Sequence, residues 1–338
     1  MTTINQAETS DLKNLMLYID ENSARKNHIL SRNKKVMKWL YFDKIKKKYN
    51  FLIAKQNKKI IGIIGFIKNS HFQKISSNKI VWFSPWFSSK NKSDNFSGIE
   101  FINKLLIKNK NCIIGTTACN SMTKNILDIL GFKTGYLNHF YLINHSLDKY
   151  HICSVRKNHK KLKAKISKLK IYKESYLNFK STQDSKSRLQ KMYFKDLAYF
   201  ENKYSKNPFY KYFYLKIKKN NKDCAFFVAR ECFYKKSKIL RLVDYYGDIN
   251  CLDKIGYQMN DIITQYKYEY VDFYNYGIDK QKLFFSGFQL SEENKDIIIP
   301  NYFEPFIKKN IRLNFAFYPK KRVNLIFKGD CDQERPNF

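Results

Sequence analysis

The stretch CIIGTTACNSMTKNILDILGFKTG occupies residues 112–135. Residues 112–117 are apolar or small, which predicts a buried strand. A turn is predicted at 118–121, and residues 122–130 carry apolar side chains at helical spacing, which predicts a short amphipathic helix. Gly131 then stands where the end of a helix commonly requires a residue that tolerates positive φ. The stretch therefore predicts one strand–turn–helix unit that ends at a glycine.

The composition of the 338 residues is that of a globular protein, with 43% hydrophobic and 17% aromatic residues. This length exceeds one ordinary core, so two domains are expected. No run approaches about 18 apolar residues, so no membrane-spanning helix is predicted. The N-terminus lacks the basic and apolar regions of a signal peptide, and the seven cysteines form no CxxC pair. We therefore expect a reduced, cytoplasmic protein.

The formal net charge is +35, and the excess is almost entirely lysine. A biased composition is one interpretation, since lysine is accompanied by abundant Asn, Ile, Phe and Tyr. A polyanionic partner is the other, because summed positive charge attracts nucleic acid and anionic membranes. The densest basic run is RKNHKKLKAKISKLKIYK at 156–173, within a predicted linker at 151–180. If helical, it places Leu162, Ile166 and Leu169 on one face. It is interpreted as a solvated linker, or as a contact with an anionic membrane surface or tRNA.

The predicted elements over residues 10–145 follow the order helix, hairpin, strand, helix, strand, helix, strand. This order resembles the core of the GNAT superfamily of acyl-CoA N-acyltransferases. The strand–Asn–helix–Gly-Phe unit at 112–132 resembles the last βα step of that core. The resemblance implies an α/β fold with mixed α+β sheets and an N-acyltransferase activity. It also implies acyl-CoA as a co-substrate, with no permanently bound cofactor.

A loop at residues 88–98, SSKNKSDNFSG, precedes a predicted helix at 99–107. In the GNAT family this loop holds the coenzyme A pyrophosphate through a Gln/Arg-x-x-Gly-x-Gly/Ala pattern, of which only Gly98 matches here. Ser97 and Gly98 are candidates for cofactor binding, because free N–H groups at the start of a helix favour anions. Asn120 is a further candidate: it bonds the amides of the donor, or it caps the helix that follows.

The same pattern of elements returns after the linker. The motif LDILGF ends at Phe132 and LFFSGF ends at Phe288, and each follows a helix, a strand and a turn. Two tandem GNAT-like domains are therefore predicted, at 1–150 and 181–338. The arrangement resembles Fem-type peptidyltransferases, in which typically one half binds the acyl donor. The elements predicted for the second half are helices at 189–214, 252–266 and 279–285 and strands at 225–233, 238–246, 270–276 and 297–299.

Two predicted strands of the second half share the pattern Val-Asp-aromatic-Tyr, at 243–246 and 271–274. In the GNAT family the slot for the donor opens where two adjacent parallel strands splay. If these strands are adjacent and in register, Asp244 and Asp272 share a face. Two close carboxylates raise one pKa, which suits a general base, with Tyr246 or Tyr274 as the proton donor. Alternatively, they bind the ammonium of an amino sugar, or each pairs with a nearby Lys, Tyr or backbone N–H.

Residues 300–306, PNYFEPF, and 328–337, KGDCDQERPN, resemble the C-terminal end of GNAT-like proteins encoded with bacterial surface-polysaccharide genes. This resemblance implies an amino-sugar acceptor, nucleotide-linked or lipid-linked. A tail that folds over the acceptor would place an arginine on a phosphate and an acid on the sugar. No partner ligands stand at defined spacing, so no metal site is predicted. The substrate-binding candidates are Asn275, Glu304, Asp330, Asp332 and Arg335.

Three functional hypotheses follow, and the oligomeric state is left open. The first is an acyl-CoA-dependent N-acyltransferase acting on an amino sugar of bacterial surface-polysaccharide biosynthesis. The second is a Fem-like transferase that uses aminoacyl-tRNA, which the net charge suits. The third is a catalytically silent GNAT-like binding module, which the degenerate loop at 88–98 suits. His139 and Tyr141 are additional candidates for acid–base work, although a single histidine commonly has a structural role.

Overall fold

The computed structural model describes residues 2–23, 27–74, 80–89, 97–155, 162–179, 194–293, 296–320 and 325–331. It is a mixed α/β structure, as predicted, with two large mixed sheets. The chain forms two compact units. Unit 1 comprises Met1–Thr134, Phe315–Arg322 and Cys331–Phe338, and unit 2 comprises Gly135–Asn314 and Val323–Asp330. The domain limits at 150 and 181 stay a prediction. None of the helices in the described ranges is both long and apolar enough to cross a membrane.

The sheet of unit 1 has seven strands. Its strands are β1 (Thr3–Gln6), β4 (Phe51–Gln56), β5 (Lys59–Lys68), β6 (Ile80–Ser88), β7 (Ile113–Cys119), β8 (Lys133–Tyr136) and β18 (Asn314–Tyr318). Their order across the sheet is β1-β4-β5-β6-β7-β18-β8. The strands β1, β4, β5 and β6 pair antiparallel, whereas β6 and β7 pair parallel. Two short strands, β2 (Phe42–Asp43) and β3 (Lys48–Tyr49), form a separate hairpin.

The helices of unit 1 lie in the chain between β1 and β2, between β6 and β7, and between β7 and β8. They are α1 (Leu12–Asn22), α2 (Ile29–Arg32), α3 (Lys34–Tyr41), α4 (Ile99–Lys108) and α5 (Ser121–Ile129), with 3₁₀ turns at Thr9–Asp11 and Asn69–His71. The inner side chains of α4 and α5 are fully buried against the sheet: Phe101, Ile102, Leu105 and Leu127. Burying such side chains contributes about 1.5–3 kcal/mol each, so this face is the core that fixes α4 beside β6 and β7.

The stretch at 112–135 folds as predicted. Its strand is β7 and its helix is α5, and the Asn120 side chain caps α5 by accepting from the Thr123 amide at 2.7 Å. Gly131 has a φ of +84°, and the Phe132 amide donates to the Leu127 carbonyl at 3.0 Å. This is the bonding pattern of a glycine-terminated helix, in which the amide after the glycine reaches back into the last turn.

The sheet of unit 2 has eight strands. They are β9 (Asn138–Ile143), β10 (Lys170–Glu174), β11 (Phe213–Lys219), β12 (Lys222–Tyr234), β13 (Ser237–Gly247), β14 (Tyr270–Tyr276), β15 (Gln289–Leu290) and β19 (Ile326–Phe327). The order is β10-β11-β12-β13-β14-β9-β15, and β19 pairs with β14. A short hairpin is formed by β16 (Tyr302–Phe303) and β17 (Phe306–Ile307). The helices are α6 (Leu197–Phe200), which continues as a π turn at Glu201–Ser205, α7 (Gly256–Gln265) and α8 (Lys280–Phe285), with 3₁₀ turns at Ile249–Asp253 and Ser291–Glu293.

The two units repeat one order of elements. In unit 1 the order β4-β5-β6-α4-β7-α5 contains two antiparallel pairs and one parallel pair; in unit 2 the order β11-β12-β13-α7-β14-α8 contains the same pairs. The second copy of the glycine stop also matches the first. Gly287 has a φ of +76°, and the Phe288 amide donates to the Leu283 carbonyl at 3.1 Å. The repeat inferred from the two Gly-Phe motifs is therefore present in the structure.

Some predicted elements were wrong. The helix expected over 189–214 ends at Ser205 within the described residues, and Phe213–Lys219 is strand β11. Asn207-Pro208 stops the helix because the residue before a proline avoids helical geometry. The aromatic side chains that follow suit a half-buried strand. In the basic run, residues 162–169 contain neither helix nor strand, and β10 begins at Lys170. Residues 156–161 lie outside the described ranges. The predicted strand at 297–299 is reduced to one isolated bridge, between Ser154 and Ile298.

Candidate functional site

Two neighbouring parallel strands of unit 1 pair over only part of their length. The parallel register of β6 and β7 extends from the pair Ile80–Ile113 to the pair Trp82–Gly115. Both strands continue beyond this point, to Ser88 and Cys119. A bulge in β6 shifts its register with β5, and Cys331 Sγ lies 3.8 Å from the Phe83 carbonyl just beyond the last pair. We call the unpaired carboxyl ends of β6 and β7 the opening of unit 1.

The start of α4 is tied to the unpaired end of β6. A Cβ atom added to Gly98 would lie 3.0 Å from the Trp86 indole nitrogen, so a larger residue would require the indole to shift. Ser97 is exposed, and its hydroxyl accepts from the Ile99 amide at 3.4 Å. The N-terminus of α4 carries the positive end of the helix dipole, although Glu100 in the first turn offsets part of it. Residues 90–96 of the preceding loop lie outside the described ranges.

The end of β7 has an uncommon backbone geometry. Ala118 has a φ of +52°, in the left-handed region that non-glycine residues adopt rarely. Such strained residues concentrate at ligand-binding and catalytic positions. Asn120 follows two residues later, and its side-chain oxygen is used to cap α5. The role of Asn120 toward the donor stays a prediction; its capping role is observed.

The equivalent opening of unit 2 is filled by the chain itself. The parallel register of β13 and β14 ends at the pair Leu242–Phe273. Beyond it, β19 pairs with β14 at Asn275 and Tyr276. The Gly329 amide then donates to the Val243 carbonyl of β13 at 2.8 Å. Residues 326–330 thus bridge the two strands where the family's donor slot would lie.

Asp244 lies at this filled opening and is fully buried. Both of its carboxylate oxygens accept from the Lys195 ammonium at 2.8 Å. Its other partners are the Tyr204 hydroxyl at 2.7 Å and the Tyr245 amide at 2.9 Å. Lys195 also contacts the Asp330 carboxylate at 2.6 Å. One buried ammonium therefore joins the strand β13 to the segment that fills the opening.

A second buried lysine completes the charge balance. Lys203 donates to the carbonyls of Gly329, at 2.5 Å, and Asp330, at 2.8 Å. Lys203 and Tyr204 are adjacent residues of the π turn, and both are buried. Two ammonium groups and two carboxylates are thus buried together.

The protonation of this cluster follows from burial and pairing. Burial raises the pKa of Asp244, and the Lys195 ammonium opposes this shift. Burial alone would lower the pKa of Lys195, but the carboxylates of Asp244 and Asp330 raise it. Lys195 is therefore a permanent cation over the physiological range. Burial also raises the pKa of Tyr204 well above its usual value, so this hydroxyl stays protonated and donates to Asp244.

Asp272 has a different set of partners on β14. The Arg241 guanidinium donates to both of its oxygens, at 3.1 and 2.8 Å, and His139 Nε2 lies 3.3 Å from Oδ2. Although burial raises the pKa of Asp272, Arg241 and His139 lower it more strongly and hold it well below the usual range. Arg241 also donates to the Asn301 carbonyl at 2.8 Å, so it fixes the loop that precedes β16. Asp272 is therefore an ionised carboxylate in a bidentate ion pair.

Asp244 and Asp272 lie on one face of the sheet, but they do not stand opposite each other. Arg241 is the register partner of Asp272. In a regular strand Asp244 would lie on the face opposite to Arg241, because side chains alternate. A bulge at Val243 changes this: Leu242 and Asp244 pair with the adjacent β12 residues Ala229 and Val228, so Asp244 lies on the same face as Arg241 and Asp272. Each carboxylate has its own cation. The alternative left open by the sequence, pairing with nearby basic, Tyr or N–H groups, is the arrangement found. A role as general base stays a prediction for both.

The two tyrosines are held in aromatic contacts. Tyr246 packs against Phe200 and Phe226, at ring distances of 5.3 and 5.4 Å, and burial raises its pKa to about 12. Tyr274 stacks on His139 at 3.9 Å and donates to a backbone carbonyl of the 296–320 segment at 3.2 Å. Burial also raises the pKa of Tyr274 well above its usual value. Both phenols are therefore protonated at neutral pH.

The remaining substrate candidates are dispersed. Asn275 is fully buried, and within the described residues neither end of its side-chain amide has a hydrogen-bond partner. Glu304 lies in the β16–β17 turn, 3.7 Å from the Arg230 guanidinium. Asp330 accepts from the Phe327 amide at 2.7 Å, within the segment that fills the opening. Asp332 and Arg335 lie outside the described residues. Among the residues described, no group of three or more His, Cys, Asp or Glu side chains is placed to hold a metal ion.

Sequence reasoning missed the basic partners of the two aspartates. Lys195, Lys203 and Arg241 are buried cations. Lys195 and Arg241 stand in aromatic or apolar runs, which is the same signal that singled out the aspartates, whereas Lys203 stands among polar residues. His139 was named, but on the last strand of the first predicted domain. That strand, β9, pairs with β14 in unit 2 and carries His139 to Asp272.

His139 predicts a measurable pH dependence of stability. Burial lowers its pKa below the unfolded value, against the opposing effect of Asp272. Below about pH 6.5, His139 binds a proton more readily in the unfolded chain than in the folded protein. The free energy of unfolding therefore falls as pH falls, by up to about 1.4 kcal/mol per pH unit. We expect His139→Gln to remove this component from urea unfolding curves measured between about pH 5 and 8. The matched control is His151→Gln, at an exposed site. An unchanged slope in His139→Gln would contradict the assignment.

Solved structures place this architecture among known folds. No family model and no curated protein sequence matches the chain. It is similar to a GCN5-related N-acetyltransferase from Anabaena variabilis, with a TM-score of 0.52 at 10% identity, covering 94% of this chain and 72% of that one. A GCN5-related N-acetyltransferase from Kribbella flavida gives 0.50 at 9% identity, covering 94% and 70%. A probable N-acyltransferase of unknown function from Enterococcus faecalis gives 0.50 at 7% identity, covering 93% and 72%. The chain therefore has the GNAT fold over nearly its whole length.

Proposed function

We propose that this protein is an acyl-CoA-dependent N-acyltransferase whose donor site is the opening between β6 and β7 of unit 1. The observation that carries the proposal is the contrast between the two copies of the repeat. In unit 2 the opening between β13 and β14 contains β19 and the Gly329–Val243 hydrogen bond. In unit 1 the register of β6 and β7 ends at Trp82–Gly115, beside the start of α4.

The proposed site has two features that suit coenzyme A. The N-terminus of α4, at Ser97 and Gly98, suits the pyrophosphate of coenzyme A. The unpaired ends of β6 and β7 suit the extended pantetheine arm, whose amides match unpaired strand edges. In the reaction the acceptor amine attacks the thioester carbonyl and an amide forms. The coenzyme A thiolate leaves, and the proton of the amine passes to a base.

The acceptor we propose is an amino sugar, nucleotide-linked or lipid-linked, of bacterial surface-polysaccharide biosynthesis. Its support is the resemblance carried by residues 300–306 and 328–337. We also propose a tandem arrangement like that of Fem-type transferases, which the repeated order of elements supports. A cytoplasmic location is part of the same proposal. The net charge of +35 supports a second candidate, a transferase that uses aminoacyl-tRNA as the donor.

Ser97→Asp tests the donor site with a side chain that can still accept from the Ile99 amide. An acid near the start of α4 interacts favourably with the helix dipole, so the melting temperature of the free protein should not fall. The same charge repels the pyrophosphate, so the affinity for acetyl-CoA, measured by isothermal titration calorimetry, should fall about tenfold or more. Turnover of a panel of amino-sugar acceptors is then measured with both proteins.

The matched control is Ser175→Asp, a serine-to-aspartate change at an exposed position of unit 2. It should leave acetyl-CoA affinity unchanged. Equal affinity in wild type and Ser97→Asp would exclude the donor site at α4. If wild type binds no coenzyme A thioester but binds aminoacyl-tRNA in a salt-sensitive way, the second candidate replaces the first.

A further inference from the structure

Two cysteines of unit 2 lie in direct contact. The sulfur atoms of Cys224, at the start of β12, and Cys251, in the 3₁₀ turn Ile249–Asp253, are 3.1 Å apart. This is about 1 Å longer than a disulfide bond. Their backbones are also linked, because the Asp248 amide donates to the Cys224 carbonyl at 2.9 Å and the Cys251 amide to the Asp248 carbonyl at 3.0 Å. The local fold thus holds both thiols at bonding range.

The two thiols have unequal chemistry. The hydrogen bond from Cys251 lowers the pKa of Cys224, against the effect of burial. The same hydrogen bond, together with burial, raises the pKa of Cys251. Cys224 is half-buried, whereas Cys251 is buried. Cys224 also donates to the Ile217 carbonyl at 3.2 Å. As the more accessible of the two thiols, Cys224 meets a reagent first, and Cys251 lies behind it.

Four of the five other cysteines are less reactive, and the fifth, Cys112, is half-buried like Cys224. Burial raises the pKa of Cys119 to about 11. Burial and the nearby Glu269 carboxylate raise the pKa of Cys153. Cys232 and Cys331 are both only 1% exposed. A thiol reagent that selects for thiolate character and access should therefore choose Cys224 over these four.

We propose that Cys224 and Cys251 form a reversible intramolecular disulfide by exchange with a low-molecular-weight disulfide such as oxidised glutathione. The Cys224 thiolate attacks one glutathione sulfur, a mixed disulfide forms, and one glutathione thiolate leaves. Cys251 then loses its proton and attacks the Cys224 sulfur, which releases the second glutathione. Both protein thiols are oxidised by two electrons in total, and one oxidised glutathione is reduced to two thiols.

The test is a redox titration of the full chain in glutathione buffers. Samples are quenched in acid, free thiols are alkylated, and tryptic peptides are analysed by mass spectrometry. We expect a cross-linked pair of peptides containing Cys224 and Cys251, which dithiothreitol separates. The bond closes the segment between β12 and the 3₁₀ turn, so the oxidised protein should melt about 5 °C higher.

Two variants separate the steps. Cys251→Ser should stop the reaction at a stable glutathione adduct on Cys224, whereas Cys224→Ser should leave Cys251 unmodified. Cys119→Ser is the matched control and should form the cross-link as wild type does. Recovery of both alkylated cysteines across the whole titration would overturn the proposal, and so would preferential modification of Cys119.

Discussion

Replacing Lys195 by methionine is expected to lower the free energy of unfolding by about 3–5 kcal/mol. The ammonium of Lys195 is 3% exposed and lies within 2.8 Å of the carboxylates of Asp244 and Asp330. Methionine keeps a side chain of similar length but leaves two buried carboxylates without a shared cation. Removing one partner of a buried ion pair costs far more than the pair contributes, because the remaining charge stays desolvated.

Urea unfolding at neutral pH measures this loss. The matched control is Lys206→Met, whose ammonium is 62% exposed and lies 3.8 Å from Glu201. It should change stability by less than about 0.5 kcal/mol. The double variant Lys195→Met with Asp244→Asn should recover part of the loss, since one unpaired charge is removed. A loss below about 1 kcal/mol in Lys195→Met would contradict the buried network.

Arg241→Met is expected to cause a second loss of about 3–5 kcal/mol. The guanidinium is 1% exposed, holds both oxygens of Asp272 and donates to the Asn301 carbonyl. Without the Arg241 guanidinium, Asp272 is a buried carboxylate near a neutral His139, and the pKa of Asp272 must rise. The loss should therefore shrink as pH falls below about 5, because a protonated Asp272 needs no cation.

Arg312→Met is the control for this change, because Arg312 is exposed and contacts the ring of Tyr136 at 5.0 Å. It should remain within about 0.5 kcal/mol of wild type. The double variant Arg241→Met with Asp272→Leu removes both charges and should be more stable than Arg241→Met alone. A loss that does not vary with pH would show that packing around Phe303, rather than the charge of Asp272, sets the effect.

These stability measurements bear on catalysis. If Asp272 or Asp244 is the general base, its conversion to asparagine lowers kcat at temperatures where the variant is fully folded. If the carboxylates only hold unit 2 together, residual activity follows the folded fraction. The geometry favours the second outcome, since a carboxylate in a bidentate pair with arginine has a pKa too low for efficient proton abstraction.

Much of the fold could be predicted from local patterns. The spacing of apolar residues gave α4, α5 and α8 with small errors at the ends, and Asn138–Ile143 was bounded correctly as β9. The glycine stops were readable because positive φ is a property of a single residue. The predicted helix over 189–214 was wrong beyond Ser205, because Pro208 follows and β11 begins at Phe213. Local propensity there was ambiguous, and pairing with β12 decided it.

The candidate site was less predictable. Ser97, Gly98 and Asn120 were correctly placed at helix starts, because helix starts have local signatures; their role in cofactor binding stays a prediction. The partners of the aspartates were not identified, because Lys195 and Asp244 are 49 residues apart and His139 and Asp272 are 133 apart. No periodicity encodes such distances. Burial of Asp244 and Asp272 within apolar strands did signal that compensating charges must lie nearby.

The sequence alone determined the strand–turn–helix unit at 112–135, its glycine stop and its second copy, since these depend on neighbours within one or two turns of the chain. Only the tertiary structure decided which sheet receives β9 and which opening remains between parallel strands. Those outcomes depend on strand pairing between distant segments. In unit 2, residues 326–330 fill the opening, because β19 pairs with β14 and the buried Lys195 joins Asp244 to Asp330. These contacts connect residues that are far apart in the sequence.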